Sequence, residues 1–564
     1  MTWIKRVIKK DGSVYLYEYK SIRQGKKVIS EYVRYLGVES DQEKVPLPKK
    51  SVMTWKPPER SVRSGDVTAF WHISQDLKIA QTINRICGYN KRDITKSPGT
   101  LLTIWAINRA LDPESTTQLS AWLERTDLPR LAGFTQNIPG KDAFYEALDC
   151  VCSFNEKSDR IIDNTKTIDE MLYSVWRNLH PLPKEASEVV AYDMTSVIVY
   201  GDTCQLVKKG HNAEEGKHQQ INLSVLVSKY DQHPLAQRVH PGNHSSMTTM
   251  QELIPRLSDF AIKEGTIIWD RGNTSQKTVT TLERHDWKVI CGVPKISSDA
   301  KKMVQNVDIP GTQENLVPCK NVGELYAVKI RAQLYGKERE AVVYRNVTKA
   351  AGCLVKRNRA IHEISGELNK LKKNTEVKNQ ELLRDKISKI LEGWKSFFII
   401  TMPSDGKIVD FEWRLNVERM EEALAMDGKY LVYSTDKSYS ATEVVRLYLE
   451  KDFVEKFFQV VKADEDLKPV RHRLENRVRA YFFVCTLAYR LLSAMRWMII
   501  SANSKKASIG LKDFLKKLGQ IDRLEVDLGK EIESFYVNIT TDVRDQLNVL
   551  GMKSILVSER KPNA

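Results

Sequence analysis

The spacing of apolar and polar positions changes character several times along the chain. Over residues 1–37 apolar and polar residues alternate in VYLYEY, and YVRYLG ends at a glycine after the turn-like RQGKK, so a small β-meander is predicted. The prolines of VPLPKKSVMTWKPPER disfavour regular structure and mark a linker. From Val67 the period becomes helical, in FWHISQDLKIAQTINRI, LLTIWAINRAL and KDAFYEALDCV, which predicts a bundle of short helices. Beyond Ser187 strands and helices alternate through EVVAYDMTSVIVYG, INLSVLVSKYDQHPLAQRVHPGN, MTTMQELIPRLSDF, TIIWDRG, SQKTVTTLERHD and WKVICGVP. That texture implies a mixed sheet of the α/β class.

A second region then interrupts the first. Its β-like runs, ELYAVKIRAQLYG, EREAVVYRN and KSFFIITMP, surround a charged helical stretch from Leu354 to Trp394. There Ile361, Ile364, Leu368 and Leu371 keep an a/d spacing until Asn374 and Thr375 break it, which predicts a helical hairpin. The sheet pattern resumes at GKYLVYSTD, and one long helix is predicted to start near Ala441. The expected organisation is therefore a meander at 1–45, a linker at 46–66, a helical domain at 67–184, a core in two parts at 185–296 and 434–504, an insertion at 297–433 carrying strands and a helical hairpin, and a C-terminal helical region at 505–564, a candidate for dimerisation.

Charge adds a partner class. The 564 residues carry 88 Lys and Arg against 72 Asp and Glu, a net +16, so a polyanion is expected, either nucleic acid or an acidic membrane surface. Up to Arg60 there are fourteen basic and seven acidic residues, a net +7. The start, MTWIKRVIKKDG, has no apolar h-region, so a secretory signal is not expected. Eight cysteines without a C-x-x-C pair fit reduced thiols in a cytosol rather than a disulfide framework or a structural zinc site. The apolar stretch from Val478 to Ser501 is interrupted by Arg479, Arg490 and Arg496, which makes a membrane span costly. A packed helix in a soluble chain is expected instead.

Three acids stand where metal-dependent chemistry would need them. Asp193 follows the apolar run VVAY, Asp270 follows TIIW, and Glu455 lies on the predicted long helix. An acid at the end of a buried strand is held by the sheet yet reaches a cleft. Carboxylates without a His or Cys cluster suit magnesium or manganese, and two such ions serve an in-line displacement at a phosphodiester. Strand-end acids also simply terminate strands or cap turns. Tyr448, Lys451, Glu455 and Lys462 fall, at about 100° per residue, within one arc of roughly 60° on a helical wheel. The stripe is either a site for a metal and a phosphate backbone or a solvated face. Arg471, His472, Arg473, Arg477 and Arg479, relieved by Glu475, form a candidate phosphate track.

These residues carry a resemblance. Y-LE-K-DFV-E-KFFQVV-K, from Tyr448 to Lys462, resembles the Tyr, Arg, Glu, Lys signature of DDE transposases of prokaryotic insertion sequences, family-four superfamily, in the branch with a long insertion before the glutamate. AYDMTS, WDRGNTS, the pair Gly242 and Asn243, the basic meander ending in YLG, and RHRLENRVRAYFFVCTLAYRL also resemble that family. The departure is Lys451 where the pattern has Arg, which keeps the charge and loses the bidentate fork.

The resemblance implies an RNase H-like core in which Asp193, Asp270 and Glu455 are catalytic and bind two Mg2+ or Mn2+ ions. It also implies that Tyr448, Lys451 and Lys462 contact DNA, and the basic track next to them adds Arg471, Arg473 and Arg477 as expected DNA contacts. Arg271 is expected to neutralise the acid cluster rather than bind phosphate. The implied function is a cut-and-paste transposase, endonucleolytic and strand-transferring, that binds terminal inverted repeats through the meander and the helical domain. Its implied partners are double-stranded DNA and a second copy of itself in a synaptic homodimer, with no membrane, in the cytoplasm at the nucleoid. A silent or domesticated DNA-binding descendant and an RNase H-like nuclease or resolvase remain as alternatives.

Overall fold

The computed structural model describes residues 2–24, 27–39, 61–461, 472–502, 510–527, 531–557 and 559–562. Within 61–461 the gaps are 135–136, 185, 200–202, 213–215, 255–256, 258–259, 261, 263–264, 286, 295–297, 320–322, 374–378 and 404–408. Most of the expected linker, up to residue 60, lies outside the described residues. The chain separates into two compact units, one formed by 1–61, 524–535 and 558–564, the other by 62–523 and 536–557.

The smaller unit holds the predicted meander, a three-stranded antiparallel sheet of Thr2–Ile8, Val14–Gln24 and Lys27–Val38. The region 505–564, expected to be helical, is mixed. Helices Leu511–Leu518 and Thr541–Val549 alternate with strands Asp522–Asp527, Glu531–Val537 and Glu559–Pro562. In DRLEVD the apolar Leu524 and Val526 recur at the two-residue period of a strand, and EIESFYV ends in the β-favouring run Phe535-Tyr536-Val537, over stretches too short to stand out beside the helices.

In the larger unit the helical bundle runs from Gly65–Asp76 through Pro98–Leu111 and Lys141–Val151 to Thr165–Leu179, with a small hairpin of Cys152–Asn155 and Arg160–Asp163. Ser97 caps the Pro98 helix by accepting from the Thr100 amide, and Pro98 occupies the first turn, where no amide hydrogen is needed.

The core sheet has nine strands, labelled here β1 (Glu188–Ile198), β2 (Lys208–Asn212), β3 (Gly216–Ser228), β4 (Pro234–Pro241), β5 (Gly265–Trp269), β6 (Lys288–Gly292), β7 (Leu325–Leu334), β8 (Lys337–Asn346) and β9 (Lys429–Ser434). Their order is β4-β3-β1-β5-β6-β9-β8-β7, with β2 beside β3. The pairs β4–β3 and β3–β1 are antiparallel, whereas β1–β5 and β5–β6 are parallel. This mixed five-strand arrangement is the RNase H-like core. The strands expected to lie in a separate insertion, β7 and β8, extend this sheet: β9 pairs with β6 on one side and β8 on the other.

Both faces of the sheet are covered, so its strands read as nearly continuous apolar runs. Tyr192, Ile267, Trp269, Val289, Cys291, Leu431 and Tyr433 pack into one buried cluster. Their neighbours Ala191, Ile268, Ile290 and Val432 pack into the opposite one, with the bundle and the helix Glu475–Ala502. That helix is, among the described residues, the one long and apolar enough to cross a bilayer, and most of it is buried in the protein. Its Arg490 is buried and paired with Asp169 of the bundle at 2.9 Å.

Between β8 and β9 the chain leaves the sheet for the predicted helical hairpin, Val347–Lys373 and Gln380–Ile390, and the strand pair Phe398–Thr401 and Glu412–Leu415. This excursion has its own small core around Leu368, Leu383 and Phe411. It begins and ends at one point: Arg345 is paired with Lys429, and the Asn346 amide donates to the Gly428 carbonyl at 2.8 Å. Gly428 sits at φ +69°, and a β-carbon there would lie 2.4 Å from the Asn346 oxygen.

Candidate active site

Asp193 and Asp270 are brought side by side by the parallel register of β1 and β5, in which Tyr192 faces Trp269. Each acid is the next residue along. Asp193 shares a sheet face with Ala191, the face that the Glu455 helix (Asp452–Gln459) covers with Phe453, Val454 and Phe457. Glu455 itself stays exposed, beside the acids rather than under the sheet.

The segment predicted as one long helix is two. Ala441–Leu449, opened by a capping box between Ser440 and Glu443, ends at Glu450, and Asp452–Gln459 begins after Lys451. Glu450 and Lys451 have ψ near zero, which tightens the chain and interrupts the helical hydrogen-bond ladder. The wheel drawn through a continuous helix therefore does not apply. Tyr448, Lys451 and Glu455 nonetheless reach one cavity of about 640 Å3, shared with Asp193, Asp270 and Arg271.

Contacts in the cavity are specific. The Tyr448 hydroxyl donates to Asp270 Oδ1 at 2.9 Å, and Lys451 Nζ lies 3.1 Å from the same oxygen and 3.9 Å from Glu455 Oε1. Burial and the Asp270 charge push the Tyr448 phenol up, so it remains a neutral donor. Burial pushes Asp193 up to about 6, with Asp270 and Glu455 adding to the rise, while the Met194 amide and Lys451 oppose it. Gly292 ends β6 against this group, and a β-carbon there would sit 2.5 Å from the Tyr448 hydroxyl. The cation against Asp270 is Lys451, not Arg271, which is exposed on the cavity wall.

Residues of the 297–433 region that pattern reading did not single out also line the cavity. Tyr344 of β8 stacks on Tyr430 of β9, with centroids 5.1 Å apart, and Lys349 Nζ lies 5.6 Å over the Tyr430 ring. The apolar runs in VVYRN and KYLVYS carry the signal for the two strands, but not for their pairing.

The basic cluster divides. Lys462 and Arg471 lie outside the described residues. Arg473 is exposed in another cavity, lined also by Asp149 and Asn476. Arg477 makes a fork onto Asp149 at 2.9 and 2.6 Å, and Arg479 bonds Glu475 and the Val239 carbonyl, so these two are committed to the fold rather than open as a phosphate track. His472 packs with Tyr481 and Tyr145, and burial lowers its pKa to about 4.

The profile of the family described as Transposase DDE domain matches residues 184–491, more than half of the chain, and spans all three acids. The chain belongs to the DDE transposase family. No curated protein sequence matches this transposase. Among solved structures, a cryo-EM structure of a piggyBac transposase synaptic complex with hairpin DNA shares 10% identity at a TM-score of 0.38, covering 89% of this chain and 88% of that one. At that score the likeness says nothing about individual residues.

The acids of the transposase are carboxylates alone, a donor set that suits a hard divalent cation. Among the described residues, however, no three Asp, Glu, His or Cys side chains are grouped closely enough to hold an ion. The Lys451 ammonium stands between two of the three acids.

Proposed function

We propose that this DDE transposase mobilises a prokaryotic insertion sequence by cut-and-paste transposition, binding the element's terminal inverted repeats as a homodimer in the cytoplasm. The observation that supports this most directly is the single cavity shared by Asp193, Asp270 and Glu455 within the matched family region. Asp193, Asp270 and Glu455 would hold Mg2+ or Mn2+, with Lys451 yielding its place between the latter two. Ions there would supply Lewis-acid charge to the scissile phosphate.

The chain's own groups have assignable tasks. Tyr448 fixes the orientation of Asp270 through its hydroxyl, and Lys451 offers an ammonium to a DNA phosphate. The Tyr344 and Tyr430 pair and Lys349 line the same cavity as the acids. In the proposed reaction, water cleaves one strand at each element end, and the freed 3′-hydroxyl then attacks a second phosphodiester, releasing its own leaving oxygen. Asp193→Asn should bind inverted-repeat DNA as the wild type does and fail to cut it in magnesium. Cleavage by that variant at the wild-type rate would sink the assignment.

A further inference from the structure

The two faces of the N-terminal three-stranded sheet differ in kind. The strand register places Trp3, Tyr15, Tyr17, Tyr19, Tyr32 and Tyr35 on one face. Tyr32 and Tyr35 are three apart, an odd spacing that would put them on opposite faces of a regular strand. The register shift opposite Glu18/Tyr19 falls between them and brings both to the same side. The rings lean on one another: Trp3 stacks on Tyr19 at 5.4 Å, Tyr15 on Tyr35 at 5.8 Å, and Tyr17 meets Tyr35 at 5.2 Å. Trp3, Tyr32 and Tyr35 nevertheless stay 41%, 53% and 45% exposed.

Charge follows the same division. On the tyrosine face, Lys5 lies over the Tyr19 ring at 5.4 Å and Lys9 over the Tyr15 ring at 4.2 Å, and Arg23 shares that face by register. The register puts no carboxylate there, and the nearest turn acid, Asp11, is held by the amide and hydroxyl of Ser13. The opposite face neutralises itself: Arg34 bonds Glu18 at 2.8 Å, Arg6 pairs with Glu39, and Lys20 is set against Glu31. Beyond these pairs it carries Lys27 and the aliphatic Ile4, Leu16, Ile22 and Ile29.

We propose that the tyrosine face is the surface that docks on the backbone of duplex DNA. A face of cations without anions is complementary to phosphate and repels a second copy of itself. Tyrosine hydroxyls, lysine and arginine are the donors that contact phosphate and sugar and set position without reading sequence. Single-stranded binding would need free ring faces on which bases stack, and here Trp3 stacks on Tyr19 and Tyr15 on Tyr35, with Lys5 and Lys9 over two of those rings. The inference deepens the transposase reading and rests on it. The element ends would be gripped through this face whatever their sequence, leaving base recognition to other parts of the chain.

The test uses the full-length protein, fluorescence anisotropy, and a labelled mixed-sequence duplex at several salt concentrations. Each lost phosphate contact lowers the slope of log K against log salt by about 0.9. K5Q/K9Q/R23Q should therefore reduce the slope by about 2 to 3. The control R6Q/K20Q/K27Q removes the same charge from the other face and should leave the slope unchanged. Equal reductions would show diffuse attraction and overturn the proposal, as would no change in either. Y32F/Y35F should weaken duplex binding several-fold. If instead only Y32A/Y35A weakens binding, and most for the isolated strand, base stacking replaces the backbone contact and the proposal fails. A wild-type protein that binds no duplex at all would overturn the transposase reading itself.

Discussion

Replacing Asp193 by asparagine should stabilise the metal-free protein, by an amount that depends on pH. The Asp193 carboxyl is pushed from an ordinary 3.8 up to about 6 because it is buried beside two other acids. Two pKa units correspond to about 3 kcal/mol. The sign follows from the raised value. The folded state favours the protonated acid, so this group's contribution is fully present below its unfolded pKa and is lost as pH rises through about 6. Asparagine keeps the oxygen that accepts from the Met194 amide at 2.8 Å and never carries the charge.

In EDTA at pH 7.5 the variant should therefore resist urea better than the wild type by up to about 3 kcal/mol. Near pH 4 the two should nearly coincide. Urea titrations followed by tryptophan fluorescence at the two pH values give the difference, in which titrating groups remote from Asp193 cancel. A gap of equal size at both pH values, or a wild type more stable at pH 7.5, would refute the reasoning. Adding magnesium at pH 7.5 should narrow the gap from the wild-type side, because an ion bound by the native acids stabilises only the protein that keeps them.

Three further outcomes are expected. Tyr448→Phe removes the donor to Asp270, a charge-assisted bond of about 1.5–3 kcal/mol, and should slow strand cleavage roughly ten- to a hundredfold with the circular dichroism spectrum retained. Gly292→Ala puts a methyl 2.5 Å from the Tyr448 hydroxyl and 3.1 Å from the Arg271 β-carbon; it should also slow cleavage, but cost less in the Tyr448→Phe background, where the closer of the two clashes is gone, and additive losses would contradict the contact. Arg490→Leu leaves Asp169 buried without its closest cation and should lower stability by about 3–5 kcal/mol in urea titrations; an unchanged midpoint would show that Arg238, 3.3 Å from the same carboxylate, compensates.

Much of the site was legible because the strands that carry it are buried on both faces. TIIW and VVAY are unbroken apolar runs that stop at an acid, and adjacent strands of that kind place their ends together. What local pattern could not supply is pairing over distance. Arg477 looks like a free cation in RHRLENRVRA, yet its partner Asp149 is 328 residues away. The strands β7 and β8 look like part of an insertion until β9 returns to pair with β8. The helix break at Glu450 and Lys451 carries no glycine or proline, and apolar residues continue at helical spacing across it, so periodicity alone runs the two helices together. Lys451 gains its position between Asp270 and Glu455 from that break.

The connection from β8 to β9 has a consequence for how this sheet can change over time. Its two ends meet as those of a tight hairpin do, with Asn346 bonded to Gly428 across a glycine in the left-handed region. To the sheet, the helices and strand pair between them amount to a turn. Because that excursion buries its own side chains, a longer, shorter or unrelated module could occupy the same place while Tyr344 and Tyr430 kept their positions. The join is a port at which the transposase can acquire new parts without rebuilding the wall of its cavity.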